Sequence, residues 1–247
     1  MTDFCERFKQ AKISVLSESA VTEGVGGLME KSVHKILKLA IEPDVSKHEQ
    51  KYLGSVVDIK NGEGIFEIQT KNHAALIPKL RKFLPTSPVT VVIPLINEKY
   101  IRYIDTETGE ISAPQKSPKH EDVYTALNYI FKLSDFVMNK NFRLKLIFMS
   151  ADEYRRLDGW DKSRKKGATK LDKIPRDVIE VLDLSSREDY IKHIPRELGE
   201  RFLAKEFQKA IKRPAKFTYF IIRFLCNVGV ISEIGKEGRA FVYALNK

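Results

Sequence analysis

The residues best placed to do chemistry sit in one short stretch that alternates apolar and polar side chains. Asp58 is followed, after eight intervening residues, by Glu67-Ile68-Gln69, with Lys71 two positions further on. Residues 51–60 and 64–70 flank Asn61-Gly62-Glu63-Gly64, a turn sequence that predicts a β-hairpin. A two-residue loop at Gly62-Glu63 and a four-residue loop at 61–64 give the same register, in which Asp58 faces Glu67. Val57, Ile59, Phe66 and Ile68 then share an apolar face, while Asp58, Glu67, Gln69 and Lys71 share a polar one. Directly opposed residues have Cβ atoms about 5 Å apart, so two carboxylates there repel and a cation between them would resolve the conflict. Mg²⁺, or Mn²⁺ in its place, suits such a pair, because it takes one or two carboxylates together with waters and phosphate oxygens.

A third carboxylate belongs to the element just upstream. Between Gly24 and Ile41, Val33, Ile36, Leu37 and Ala40 recur at helical spacing and Pro43 stops the pattern, which predicts a helix. Glu30 falls three residues before Val33 and seven before Leu37, on the apolar stripe, where a carboxylate needs a partner.

Asp58, the eight-residue spacer and Glu67-Ile68-Gln69 resemble the PD-(D/E)xK motif of restriction-endonuclease-like nucleases. The resemblance implies that Asp58 and Glu67 bind the metal. It implies that Gln69, at the position where the family usually has Lys, or Lys71 on the same face orients the attacking water or stabilises charge developing on phosphate. Glu30 matches a Glu that members commonly carry on the helix before the hairpin, pointing into the same site. Val57 stands where many members have Pro. The implied reaction is metal-dependent hydrolysis of DNA phosphodiesters. The alternatives are a hairpin face that is merely charged and solvated, a DNA-binding regulator whose nuclease-like domain no longer cuts, and a structural protein of a mobile element.

The elements that would position these residues follow in order. A helix is predicted from His73 to Phe83, a buried strand from Val89 to Leu95, and a hairpin from Lys99 to Asp105 around a Thr-Gly-Glu turn at 108–110. Residues 114–118 read as a loop, Glu121 to Asn139 as a helix with Val123, Leu127, Ile130, Phe131 and Leu133 inward, and Leu144 to Met149 as a central strand. This alternation predicts an α/β layer with a mixed sheet flanked by helices. The resemblance implies that it is of restriction-endonuclease-like type and spans residues 1–185.

Residues 186–247 resemble a winged helix-turn-helix domain. Phe202 to Ile211 reads as one helix, Lys212-Arg213-Pro214-Ala215 as a turn, and Phe217 to Asn227 as a second helix ending at Gly229. Strands at Val230–Ile234 and Ala240–Leu245 follow, joined by Gly235-Lys236-Glu237-Gly238-Arg239 as the wing. The resemblance implies DNA contacts from Lys212, Arg213, Lys216, Thr218 and Tyr219 at the start of the second helix and from Lys236 and Arg239 on the wing.

The charge distribution agrees with a polyanionic partner. Of a formal net charge of +10 over 247 residues, seven units lie in the last 58, which hold twelve Lys/Arg against five Asp/Glu. A second basic cluster from Lys162 to Arg176 contains Arg164, Lys165 and Lys166 and falls in a stretch, Arg155 to Arg176, that reads either as a solvated loop or as one tracking DNA. The five histidines show no zinc-ligand spacing and are assigned no role. Cys5 and Cys226 have neither disulfide-framework nor zinc spacing, and no apolar run approaches a membrane span, so a cytoplasmic location without a membrane partner is expected. Cutting both strands of a duplex commonly calls for a homodimer or paired sites.

Overall fold

The computed structural model describes residues 2–22, 32–160 and 166–246. Two helices, α1 (Thr2–Thr22) and α2 (Ser32–Ile41), precede a meander of β1 (His48–Tyr52), β2 (Ser55–Asn61) and β3 (Gly64–Ile68). Then come α3 (Ile77–Phe83), β4 (Val89–Ile104), β5 (Gln115–Lys116), α4 (Val123–Tyr129) and α5 (Ser134–Val137), followed by two 19-residue strands, β6 (Phe142–Trp160) and β7 (Lys166–Leu184). The chain continues through α6 (Arg187–Ile191), β8 (Arg201–Leu203), α7 (Ala204–Ile211), α8 (Ala215–Asn227), β9 (Ile231–Glu237) and β10 (Ala240–Leu245). The architecture is mixed α/β. A seven-stranded sheet has the order β1-β2-β3-β4-β6-β7 with β5 paired to β4, and a three-stranded sheet has the order β8-β10-β9.

Contacts divide the chain into two compact units. The first takes Met1–Thr70, Val92–Glu121 and Ile147–Val181. Its core forms because α1 presents Phe8, Ala11 and Val15, and α2 presents Val33, Ile36, Leu37 and Ala40, at the three- and four-residue spacings that make one helical face. Both faces pack on Ile59, Phe66 and Ile68 of the meander and on Ile147, Met149 and Ala151 of β6. Arg7 closes the end of α2 by donating from Nη1 to the Ile41 carbonyl at 3.2 Å. Between β1 and β2 the turn residues Leu53 and Gly54 both have positive φ (46° and 70°), which matches the right-handed twist of the flanking strands.

The hairpin expected at Lys99 forms: residues 99–104 continue β4, Tyr100 pairs with Lys116, and Ile104 bridges Ile111 across the Thr-Gly-Glu turn. Two expectations for this unit change. Gln115 and Lys116, expected within a loop, form β5. The stretch Arg155 to Arg176 is strand on both sides of residues 161–165, which lie outside the described residues, as do Arg164 and Lys165. Strands β6 and β7 run antiparallel, as shown by the Thr169 amide on Asp158 Oδ1 (3.0 Å) and the Asp177 amide on Ser150 Oγ (3.3 Å). Among the described residues β7 is the last strand of its sheet; Pro175 is buried within it, and Lys12 of α1 donates to the Arg176 carbonyl at 2.6 Å.

The second unit takes Lys71–Val91, Asp122–Leu146 and Leu182–Lys247. Asp122 caps α4, accepting from the Thr125 amide at 2.9 Å. The helix expected to run to Asn139 breaks at Ile130 (φ −93°, ψ 7°), and a 3₁₀ turn over Phe131–Leu133 keeps Ile130 and Leu133 buried while setting Phe131 5.0 Å from the Phe220 ring. Helix α7 stops at Lys212, whose φ of 52° turns the chain, and Pro214 opens α8. Gly229 (φ 73°) ends that helix, and β9 and β10 meet at a turn over Gly238-Arg239.

Candidate functional site

The hairpin of β2 and β3 has the register read from its sequence, with Ile59 paired to Phe66, Lys60 to Ile65 and Asn61 to Gly64. Asn61 shapes the turn by accepting the Glu63 amide on Oδ1 at 3.0 Å. One step beyond the last pair lie Asp58 and Glu67. Here the ladder changes character, since Asp58 Oδ2 accepts the Ile68 amide at 2.7 Å. The same oxygen lies 3.2 Å from His34 Nε2 on α2.

The face expected to be polar is not solvated. Glu67 is 3% exposed and Ile65 on its side of the strand is 0% exposed, so β3 is buried on both faces. A strand in the middle of a covered sheet has no solvent face, which simple alternation does not reveal. Gln69 is half-buried and its amide donates to the Val92 carbonyl at 2.9 Å, whereas Lys71, beyond the end of β3, is exposed. Glu30 lies outside the described residues. Among the described residues no group of three or more His, Cys, Asp or Glu side chains is arranged to hold a metal ion.

Several participants were not read from the sequence. His34 follows Glu30 by four residues, one helical turn, and that spacing was the available signal. Asp172 on β7 is buried, accepting from the Ser32 hydroxyl at the start of α2 and from the Lys173 amide (2.7 Å). Asp152 on β6 accepts from Arg176 (2.8 Å to each oxygen) and from Arg102 Nε (3.0 Å). Its neighbour Glu153 binds Lys99 (3.2 Å) and Arg155 Nε (2.8 Å). Burial alone would raise both carboxyls, but the hydrogen bonds and positive charge of these partners outweigh it and hold both below the ordinary carboxylate range. The Arg176 guanidinium also lies 4.0 Å from the Tyr100 ring centroid.

On the C-terminal helices the expected nucleic-acid residues divide. Lys212, Lys216 and Tyr219 are exposed, as are Lys236 and Arg239 on the hairpin, with the Lys236 ammonium 4.5 Å from the Phe241 ring. Thr218 is 2% exposed and its hydroxyl donates to the Pro214 carbonyl at 3.1 Å, so it presents no surface to a ligand. Arg213 is half-buried and held by Asp122 at 2.7 Å, which makes it a bracket between the turn and the cap of α4. Arg223, exposed and in line with Lys216 and Tyr219, was missed although helical spacing alone places it on their stripe. The backbone of Lys166 opens β7.

A family model matches residues 31–185, more than half of the chain. The chain belongs to the family described as Domain of unknown function (DUF8091). The DUF8091 stretch contains His34, Asp58, Glu67, Gln69, Asp152, Glu153 and Asp172, and it ends before α6. An uncharacterized protein of Treponema pallidum (strain Nichols) is 26% identical over 215 residues, covering 87% of this chain and 84% of the relative. No solved structure matches.

Proposed function

We propose that this DUF8091 protein is a metal-dependent deoxyribonuclease of restriction-endonuclease-like type, targeted to DNA by a C-terminal winged helix. One observation carries it: the hairpin register sets Asp58 and Glu67 on adjoining strands one step past the Ile59–Phe66 pair, with Glu67 buried. The order helix, hairpin, helix, strand, helix, strand from α2 to β6 agrees with that class, and a helix-turn-helix followed by a hairpin from α7 to β10 agrees with the second.

Two carboxylates fit a Mg²⁺ or Mn²⁺ ion that takes its other ligands from water and phosphate. Asp58 and Glu67 would hold it, with Glu30 the candidate for a third carboxylate. When bound, the metal polarises the phosphoryl oxygen and lowers the pKa of a water. The protein's own groups do the rest. His34 and the Ile68 amide fix the Asp58 carboxylate, Gln69 or Lys71 orients the attacking water, and the exposed cations of α8 and the wing bind the phosphate backbone.

A second reading, a DNA-binding protein that does not cut, is favoured by the double engagement of Asp58 Oδ2 and by Gln69 at the usual Lys position. The test is cleavage of mixed DNA substrates with Mg²⁺, Mn²⁺ or chelator, comparing the native protein with Asp58→Asn and Glu67→Gln. Asn retains an acceptor for the Ile68 amide, so loss of cutting in a folded Asp58→Asn protein reports on the charge. Metal-dependent cutting lost in both variants is the expected result. DNA binding without cutting under any metal would establish the second reading.

A further inference from the structure

The distal part of the β6–β7 ribbon carries charge that neither the carboxylate pair nor the C-terminal module uses. In residues 154–160 and 166–173 the sequence holds five Lys/Arg (Arg155, Arg156, Lys166, Lys170, Lys173) and two Asp/Glu (Asp158, Asp172); five minus two is three. Along β6, Leu144 to Glu153 are buried or half-buried, but Arg156, Leu157, Asp158 and Gly159 are all exposed. Successive side chains on a strand point to opposite faces, so four exposed residues in a row mean that neither face of the ribbon is covered there.

The two described carboxylates of the ribbon are already engaged. Asp158, though exposed, takes the Thr169 amide across the two strands, and the buried Asp172 takes the Ser32 hydroxyl. By contrast, Arg156, Lys170 and Lys173 form no ion pair among the described residues; Arg156 and Lys170 are exposed and Lys173 is half-buried. The cations are distributed over both strands along a ribbon that rises about 3.3 Å per residue, so the seven residues after Glu153 span about 20 Å.

We propose that this ribbon is a second nucleic-acid-binding element, separate from the C-terminal helices, that grips the phosphate backbone of a DNA duplex. A two-stranded β-ribbon is one of the two elements that the major groove of B-DNA admits. Cations on both strands and both faces suit a regular array of phosphates, whereas Leu157, 44% exposed, gives too little apolar surface to seat the ribbon in a lipid bilayer. The proposal rests on the DNA-binding part of the function above and not on hydrolysis.

The experiment titrates binding of the full chain to a labelled duplex against salt concentration, for the native protein and for a combined Arg156→Gln, Lys170→Gln, Lys173→Gln variant. Each lost phosphate contact lowers the slope of log K against log salt by about 0.9, so the variant's slope should fall by about 2.7, with weakening that is similar for unrelated sequences. A charge-retaining variant, Arg156→Lys, Lys170→Arg, Lys173→Arg, should restore it. A native slope in the neutralised variant, while the native protein binds duplex, overturns the ribbon and leaves the DNA reading intact. Failure of the native protein to bind duplex at any salt overturns both, and binding of the native protein to anionic vesicles in preference to duplex overturns the ribbon in favour of a membrane surface.

Discussion

Replacing Glu153 by Gln should destabilise the first unit by about 3 kcal/mol. Its side chain is 2% exposed and holds two cations, Lys99 and Arg155. Lys99 and Arg155 bond separate oxygens, and Gln keeps the shape but only one acceptor, so one charge-assisted hydrogen bond becomes an ordinary one, a loss of about 1 kcal/mol or more, and the other is lost against the NH₂ group. Breaking a buried pair outright costs about 3–5 kcal/mol because the survivor is stranded without water. Lys99 and Arg155 are 15% and 23% exposed at the side chain and retain part of their hydration, which argues for the lower end. In a protein of this size the change lowers the Tm by roughly 6–12 °C, at about 2–4 °C per kcal/mol. Urea unfolding followed by circular dichroism, with Lys99→Met and the double variant closing a cycle, measures it. The sign with pH also follows. Glu153 is held below its ordinary range, so its contribution is complete above the unfolded carboxylate value of about 4.3 and is lost as pH falls through the lower folded value. The deficit of Glu153→Gln should therefore shrink in acid. A loss under about 1 kcal/mol at neutral pH would refute the reasoning, because pairs this weak are typical of solvated ones.

Leu37 of α2, 0% exposed in the core that α2 shares with α1, should cost about 2–5 kcal/mol when cut to Ala, and a smaller loss in urea unfolding would mean that the site collapses around the gap. Leu53→Asn should stabilise by about 0.5–1 kcal/mol, since Leu at φ 46° bears strain that Asn tolerates and its side chain is 47% exposed; a loss would show that Leu53 packs usefully. Tyr124, whose hydroxyl donates to the His193 carbonyl, is pushed up to about 12 by burial and then by the negative charges of Asp122 and Glu197. Stability linked to Tyr124 is thus full below about 10 and declines as pH rises above it, and Tyr124→Phe should remove a phenolate component titrating near 12 from the absorbance curve.

The hairpin register and α2 were legible because each is local: a turn sequence fixes which residues oppose, and helical spacing fixes which face is buried. Helix α8 and the final hairpin were legible for the same reason. The β6–β7 ribbon was read as a loop because its distal residues are exposed on both faces, so there is no apolar–polar alternation to mark a strand; backbone pairing alone defines it. The Asp152–Arg176 and Ser32–Asp172 bonds join residues 24 and 140 positions apart, and nothing local anticipates such partners. Arg213 was assigned to DNA by its charge and position, but the Asp122 carboxylate that takes it lies 91 residues away.

The long outer strand β7 raises a problem of solubility. A strand at the end of a sheet offers unpaired amides and carbonyls to any other chain, and one of 19 residues is a large template for unwanted self-association. Pro175 removes a donor from the middle of it, and Lys12 occupies the neighbouring Arg176 carbonyl from outside. Helix α1 therefore works as a guard rail as well as a core element. Removing it should release aggregates built edge to edge, and Lys12→Ala should do so more mildly, with the secondary structure of the monomer unchanged.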